Sequence, residues 1–186
     1  MPKTRPVKRT PELGLTHAYI GYGKGKTTAA IGVAVRARGY GWPVLFLQFM
    51  KSEDWASGER AALKKLGVTV KVMGAGFYKI MGDRQPAQVH RRAAARAMKT
   101  AAAALKSGKY RLVILDELGT AVDEGLLAAA AVEAKLFKRH PAAVNVIWTG
   151  HRRIPRLLKH ADLVTDMRVV KHPYNRGILA RQGIDY

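Results

Sequence analysis

Short apolar runs alternate along this chain with longer segments of helical pattern. The apolar runs are nearly continuous, which is typical of strands buried on both faces of a parallel sheet. We predict strands at residues 17–21, 44–49, 68–72, 110–117, 144–150 and 163–171. With the helices between them, they predict an α/β fold in which a mostly parallel sheet of about six strands carries helices on both faces.

Helical periodicity fills most of the spaces between these strands. The predicted helices cover residues 26–39, 59–66, 87–106, 126–139 and 154–160. The glycine-containing segment 74–86 is longer than a simple connection needs, so it is a candidate functional loop. The tail from His172 onward has no clear pattern.

A glycine-rich loop follows the first predicted strand. Its sequence, IGYGKGKTT at residues 20–28, nearly matches the phosphate-binding pattern G-x-x-x-x-G-K-[ST], but the opening glycine is Gly21, so the loop is one residue short. Glycine amides can surround phosphate oxygens, and the following helix adds its positive N-terminal end. In this pattern Lys26 bridges phosphate oxygens and the Thr27 hydroxyl binds Mg²⁺.

Two carboxylates, Asp116 and Glu117, end the predicted fourth strand, LVILDE. Ligands of parallel sheets bind beyond the carboxyl ends of the strands, so this pair should lie beside the glycine loop. In nucleoside triphosphatases a carboxylate at this place holds Mg²⁺. The loop and the pair together predict a site for a nucleoside triphosphate with Mg²⁺. The histidines and serines show no metal-ligand or nucleophile pattern.

Composition narrows the class of protein. The 186 residues include 33 Lys and Arg against 13 Asp and Glu, a net charge of +20 that attracts nucleic acids, nucleotide phosphates or acidic proteins. The chain has no cysteine and no apolar run near the ~20 residues of a spanning helix, so we expect a cytoplasmic protein without membrane association. We interpret residues 1–13 as a basic flexible arm and residues 14–186 as one domain.

Ordered landmarks run from about Gly14 to Tyr186, and they resemble the P-loop family of ATP:corrinoid adenosyltransferases. They are GYGKGKTTAA, QFMKS, SGER, GF at 76–77, VILDEL, TGH, ADLVTDM, KHPY and the closing GIDY. The shortened loop is itself a feature of that family. The resemblance implies a RecA-like P-loop fold, a homodimer, and transfer of the 5′-deoxyadenosyl group of ATP to cobalt(I) of cob(I)alamin or cob(I)yrinic acid a,c-diamide, with release of triphosphate.

The resemblance also implies roles for residues. In this family ATP lies in the loop in the orientation opposite to that in ordinary nucleoside triphosphatases, which exposes C5′ of the ribose. Cobalt(I) is the nucleophile that attacks this carbon. Thr27 and Glu117 would hold Mg²⁺ or Mn²⁺, with Asp116 in support, and Lys26 would neutralise the leaving triphosphate. The implied ATP-binding residues are Gly21, Tyr22, Gly23, Lys24, Gly25, Lys26, Thr27, Thr28 and Arg36.

On the corrinoid side, Phe77 matches a family aromatic that displaces the lower axial ligand of cobalt. The second family aromatic, a tryptophan, falls at Lys79, so Tyr78 is the candidate substitute; Tyr22 likewise replaces a family asparagine. Phe77, Tyr78 and Lys79 are therefore the expected corrinoid-binding residues, and an acidic flavoprotein is the expected electron donor.

Three other functions use the same motifs. A RecA-like ATPase acting on nucleic acid would use Glu117 to polarise water and the basic surface to follow phosphates. A small-molecule kinase would present the γ-phosphate to an acceptor. A regulatory module would bind the nucleotide without turnover. With the resemblance, we expect ATP and a corrinoid as substrates and do not expect nucleic acid as a partner.

Overall fold

The computed structural model describes residues 13–55, 57–76, 78–80, 82–138 and 143–186. Its sheet has six parallel strands in the order β3-β2-β4-β5-β1-β6. The strands are β1 Thr16–Ile20, β2 Val44–Gln48, β3 Thr69–Val72, β4 Leu112–Asp116, β5 Asn145–Thr149 and β6 Leu163–Asp166. The predicted α/β class and parallel sheet are confirmed, and the architecture is RecA-like.

Helices occupy most of the connections between these strands. They are α1 Lys26–Gly39, α2 Gly58–Lys65, α3 Ala87–Lys106, α4 Leu118–Asp123, α5 Ala129–Val132 and α6 Pro155–Leu158. A π-helical turn, Glu133–Phe137, continues α5, and a 3₁₀ turn, Pro173–Arg176, lies in the tail. None of the described helices is long and apolar enough to cross a membrane.

Alternate residues of the central strands pack into two apolar layers, one on each face of the sheet. Phe46 and Ile114 face α1, whose buried alanines lie against them. Leu47 and Leu115 face α3, where the alanine run of the sequence supplies a small-residue surface that lets the helix approach the sheet closely. The central strands are therefore buried on both sides, as their continuous apolar sequences require, whereas the edge strand β6 is exposed.

The predicted helix 126–139 is wrong in its extent. A helix already forms at Leu118–Asp123, directly after β4, and the chain turns at Gly125, whose φ is 67°. The amides of Leu126 and Leu127 both donate to the carbonyl of Ala121, which ends α4. Helix α5 then starts only at Ala129, and residues 139–142 lie outside the described residues.

The π-helical turn carries a buried carboxylate that joins it to α6. Glu133 accepts hydrogen bonds from Arg156 Nη1 at 2.7 Å and Lys159 Nζ at 2.7 Å, and its Oε1 lies 3.1 Å from His160 Nε2. These partners hold the pKa of Glu133 well below its usual range. The α5–α6 side of the molecule is thus fixed by charge as well as by apolar packing.

The predicted last strand, 163–171, is also too long, because β6 ends at Asp166. After it, the chain turns to meet the loop that follows β1: the carbonyl of Met167 accepts the amide of Gly23 at 2.8 Å. The parallel arrangement brings the carboxyl ends of β1, β2, β4, β5 and β6 to one edge, where the candidate site is built.

Candidate functional site

The glycine loop connects β1 to α1 and encloses a lysine. Gly21 and Gly25 both have a φ of 107°, a conformation that glycine adopts without strain. Lys26 is buried, and its Nζ donates to the carbonyl of Gly23 at 2.8 Å. Burial lowers the pKa of Lys26, while the nearby carboxylates of Glu117 and Asp116 act in the opposite direction. The loop therefore holds an ammonium group between its own backbone and two acidic side chains.

Neighbouring strands support the loop through its backbone. The amide of Gly21 donates to the carbonyl of His151 at 2.9 Å, as that of Gly23 does to Met167. A Cβ atom at Gly21 would lie 2.4 Å from the Met167 carbonyl oxygen, and one at Gly23 would lie 2.5 Å from it. Both glycines are needed because the chain after β6 passes this close.

Asp116, at the end of β4, is fully buried and accepts three side-chain hydrogen bonds. Its Oδ1 accepts from the hydroxyls of Thr27 and Thr149, each at 2.9 Å, and its Oδ2 accepts from Gln48 Nε2 at 3.1 Å. Because the single hydroxyl proton of Thr27 points to Asp116, the lone pairs of the Thr27 oxygen remain available to a cation.

Glu117 follows with a φ of 62°, an uncommon conformation for a residue other than glycine. Its amide donates to the Thr149 hydroxyl oxygen at 2.8 Å, and its carboxylate accepts from the Thr120 hydroxyl. Burial, and secondarily the charge of Asp116, raises the pKa of Glu117. A bound cation would offset both effects, since its positive charge would stabilise the ionised carboxylate of Glu117.

The residues of this group fit Mg²⁺. Within the described ranges, no three His, Cys, Asp or Glu residues cluster as a metal cage. Mg²⁺ needs no such cage beside a nucleotide, because it uses one or two carboxylates together with phosphates and water. The hydroxyl of Thr27 and the carboxylates of Asp116 and Glu117 are oxygen donors of the kind that this ion prefers.

Tyr22 lies on the outer side of the loop, next to a basic cavity. Its ring stacks on His151 with centroids 5.6 Å apart, and its hydroxyl accepts from Arg152 Nε at 2.8 Å. The cavity, of about 610 Å³, continues past Arg153 to Arg168. His151 and its two arginine neighbours follow β5 after one residue, Gly150, and this position near a strand end is the sequence signal that could have identified the arginines.

The C-terminal tail also reaches the loop. Asp185 forms an ion pair with Lys24, and the ring of Tyr186 lies 6.2 Å from that of Trp55, in the segment that follows β2. The closing GIDY landmark is therefore placed against the glycine loop, a placement that no periodicity in the tail predicted.

The expected corrinoid-binding residues are placed only in part. Phe77 lies outside the described residues. The ring of Tyr78 is 4.9 Å from that of His90 in α3, and Lys79 Nζ is 3.1 Å from Glu124 Oε2 and 4.8 Å from the centre of the Tyr78 ring. These contacts direct the segment towards α3 and the end of α4.

The remaining expected nucleotide residues divide between the two ends of α1. Thr28 is in its first turn and exposed. Arg36 is ten residues beyond Lys26, or about 15 Å along the helix. It lines a cavity of about 260 Å³ with Leu15 and Asn145, at the amino ends of the strands. The structure therefore does not bring Arg36 together with the loop and the carboxylates.

Comparison with known proteins gives one consistent result. The family described as ATP:corrinoid adenosyltransferase BtuR/CobO/CobP matches residues 12–186. The corrinoid adenosyltransferase of Pseudomonas aeruginosa is 37% identical over 177 residues, which cover 94% of this chain and 85% of the relative. That of Escherichia coli K12 is 37% identical over 182 residues, covering 98% and 90%. Corrinoid adenosyltransferase CobA of Salmonella typhimurium is 36% identical, with the same coverage.

The close approach of Met167 generates a prediction. Gly23→Ala places a methyl group against the Met167 carbonyl, so we expect the loop to shift and ATP affinity, measured by calorimetry, to fall about tenfold or more. Gly32→Ala in α1 is the matched control, because a Cβ atom there meets nothing within 4 Å. Equal affinities for both variants and the unaltered protein would contradict the prediction.

Proposed function

Because the chain belongs to the ATP:corrinoid adenosyltransferase family, we propose that the glycine loop and the Asp116–Glu117 pair form its ATP site. The enzyme transfers the 5′-deoxyadenosyl group of ATP to the cobalt of a corrinoid. The nucleic-acid-dependent ATPase is not favoured, since the matching family and relatives are adenosyltransferases. The observation that carries the proposed site is the buried Lys26, enclosed by the loop and facing both carboxylates.

The reaction needs little covalent chemistry from the protein. Cobalt(I) provides the electron pair of the new Co–C5′ bond, the C5′–O bond breaks, and its electron pair leaves with the triphosphate. The protein must align C5′ with cobalt and stabilise the charge of the leaving group. We propose that the ammonium group of Lys26 and the first amides of α1 supply this stabilisation, since those amides have no partner within the helix.

The loop has a second lysine, Lys24, on its outer side, and this lysine forms an ion pair with Asp185. A bound triphosphate would compete with the carboxylate of Asp185 for this ammonium group. We propose that Lys24 transfers its pairing to the nucleotide when ATP binds. Gly21 and Gly23 contribute shape rather than donors, because their amides are already bonded to the carbonyls of His151 and Met167.

We propose that Thr27 and Glu117 hold Mg²⁺, or Mn²⁺ in its place, and that Asp116 supports them without direct ligation. Asp116 already accepts three hydrogen bonds, one of which orients the Thr27 hydroxyl. When bound, the cation neutralises charge on the triphosphate oxygens. Glu117 is the carboxylate whose pKa burial raises, so ligation of a cation would relieve the cost of its charge.

For the corrinoid, we propose that Phe77 displaces the lower ligand of cobalt, as the family resemblance implies. Tyr78 and Lys79 are the proposed neighbours on the corrin face, and their contacts with His90 and Glu124 fix the segment that carries them. We also propose an acidic flavoprotein as electron donor, a homodimer and a cytoplasmic location. Light scattering and cell fractionation test the last two.

The proposed site predicts the effect of Lys26→Ala. With ATP, Mg²⁺ and chemically reduced cobalamin under anaerobic conditions, the unaltered protein should yield adenosylcobalamin and triphosphate. Lys26→Ala should lower the rate about 100-fold or more, because the leaving group loses a buried cation. Lys99→Ala, at an exposed position of α3, is the control and should retain activity. If ADP and phosphate formed instead, with stimulation by DNA or RNA, the ATPase alternative would replace this proposal.

The proposed role of Phe77 predicts different rate losses for reactions that start from cobalt(II) and from cobalt(I). Phe77→Ala should slow the reaction that starts from cobalt(II), because the lower ligand stays in place and opposes reduction. The reaction supplied with cobalt(I) should be affected much less. Visible spectra of both reactions measure the rates, and an equal loss in both would exclude the proposed role.

The basic surface predicts how the electron donor behaves. If an acidic flavoprotein is steered by the +20 charge, its reduction of the bound corrinoid should slow as ionic strength rises. Chemical reduction by a small neutral agent is the control and should change little. A flavoprotein-driven rate that is independent of salt would contradict electrostatic steering.

A further inference from the structure

We propose that Gln48 and Arg60 are positioning residues, which hold the carboxylate of Asp116 so that it orients the Thr27 hydroxyl towards the cation of the bound nucleotide. This inference rests on the proposed ATP and Mg²⁺ site and extends it into the part of the sheet edge near α2. It gives a role to the QFMKS and SGER segments, whose residues are outside the phosphate-binding loop and the carboxylate pair.

A continuous line of hydrogen bonds, buried from Arg60 to Asp116, connects α2 with α1. Arg60 Nε donates to Gln48 Oε1 at 2.9 Å, and Gln48 Nε2 donates to Asp116 Oδ2 at 3.1 Å. The other oxygen of Asp116 accepts from Thr27. Gln48 and Asp116 are fully buried, and Arg60 is 9% exposed. In such surroundings each group depends on its neighbour, because water cannot replace a lost partner.

The chemistry of the two end groups determines the orientation of the Gln48 amide. A guanidinium group can only donate, and an ionised carboxylate can only accept. Gln48 must therefore turn its oxygen to Arg60 and its NH₂ group to Asp116, since the flipped amide would place carbonyl oxygen against carboxylate oxygen. Arg60 thus fixes a rotamer whose other end holds Oδ2 of Asp116.

Arg60 is itself fixed by the segment that follows β2. Its Nη1 donates to the carbonyl of Trp55 at 2.9 Å and to that of Glu53 at 3.3 Å. Beside it, Lys51 and Glu59 form an ion pair at 3.3 Å. The guanidinium group therefore has three acceptors in fixed directions, which a lysine ammonium group at this position could not reach together.

The consequence appears at Thr27. With Oδ2 held by Gln48, the Oδ1 atom of Asp116 faces Thr27 and Thr149, and the Thr27 proton is committed to that oxygen. The lone pairs of the Thr27 hydroxyl then face away from Asp116. If Gln48 no longer donated, the carboxylate could rotate and Thr27 would lose its fixed orientation.

The test measures ATP binding in the presence of Mg²⁺ and in EDTA, by calorimetry on the full chain. We expect Arg60→Lys and Gln48→Met to weaken Mg²⁺-dependent binding about 10–100-fold, the usual cost of losing a partner behind a metal site. Binding in EDTA should stay within about twofold. The double variant should be no weaker than Gln48→Met alone, because Arg60 acts through Gln48.

Arg38→Lys is the matched control. Arg38 also donates to two backbone carbonyls, those of Leu66 at 2.9 Å and Trp42 at 2.8 Å, but it belongs to the end of α1 far from the carboxylates. We expect it to lower the melting temperature without changing Mg²⁺-dependent binding. Gln48→Met leaves a buried carboxylate oxygen without a donor; if it does not fold, Arg60→Lys decides the question.

Two results would overturn the inference. Variants at Gln48 and Arg60 that melt earlier but keep full Mg²⁺ dependence would show a structural role alone. Asp116→Asn separates this outcome from failure of the site: if Asp116→Asn loses Mg²⁺ dependence and Gln48→Met keeps it, the proposed site stands and the positioning role falls. If the unaltered protein binds ATP equally well in EDTA, the proposed metal site falls and this inference falls with it.

Discussion

A carboxylate that is buried away from water must be matched by donors, because its desolvation costs several kcal/mol. At the end of β4, Asp116 meets this requirement with donors from three other elements: Thr27 of α1, Thr149 of β5 and Gln48 of β2. The single charge therefore fixes the relative positions of the first helix and three neighbouring strands. The loop that encloses Lys26 leads directly into α1, whose second residue is Thr27, so the geometry of the loop depends on the same charge.

The loop is shaped by the protein on two further sides. The carbonyls of His151 and Met167, after β5 and β6, accept the amides of Gly21 and Gly23. Asp185 in the C-terminal tail forms an ion pair with Lys24. Each contact comes from a segment distant in sequence, and each leaves the N-terminus of α1 open. For the proposed ATP site, this arrangement means that the backbone of the loop is formed before the nucleotide arrives, and that Lys24 exchanges Asp185 for the triphosphate on binding.

Local sequence patterns predicted most of the strands and the two longest helices. Continuous apolar runs identified the strands, and the bounds of α1 and α3 agree with prediction because Gly25 and Pro86 precede strong helix formers. The turn at Gly125 was missed although its hydrogen bonds, from Leu126 and Leu127 to Ala121, are local. The π-helical turn at Glu133 was missed because Glu133 is held by a tertiary contact with Arg156. Tertiary contacts also explain which site residues were missed. The loop motif identified Lys26 and Thr27. The hydrogen bonds from Arg60 to Gln48 and from Gln48 to Asp116 connect residues that are distant in sequence, so no periodic pattern predicts them.

The glycine loop also lies directly against the chain that follows β6, where the Met167 carbonyl accepts the amide of Gly23. A side chain at Gly21 or Gly23 would collide with that carbonyl, because even a Cβ atom has no room there. The residue types that these two positions accept are thus set by the edge strand as well as by the loop itself. An engineer who replaces either glycine must therefore also rebuild the chain around Met167, although about 140 positions separate the two segments in the sequence.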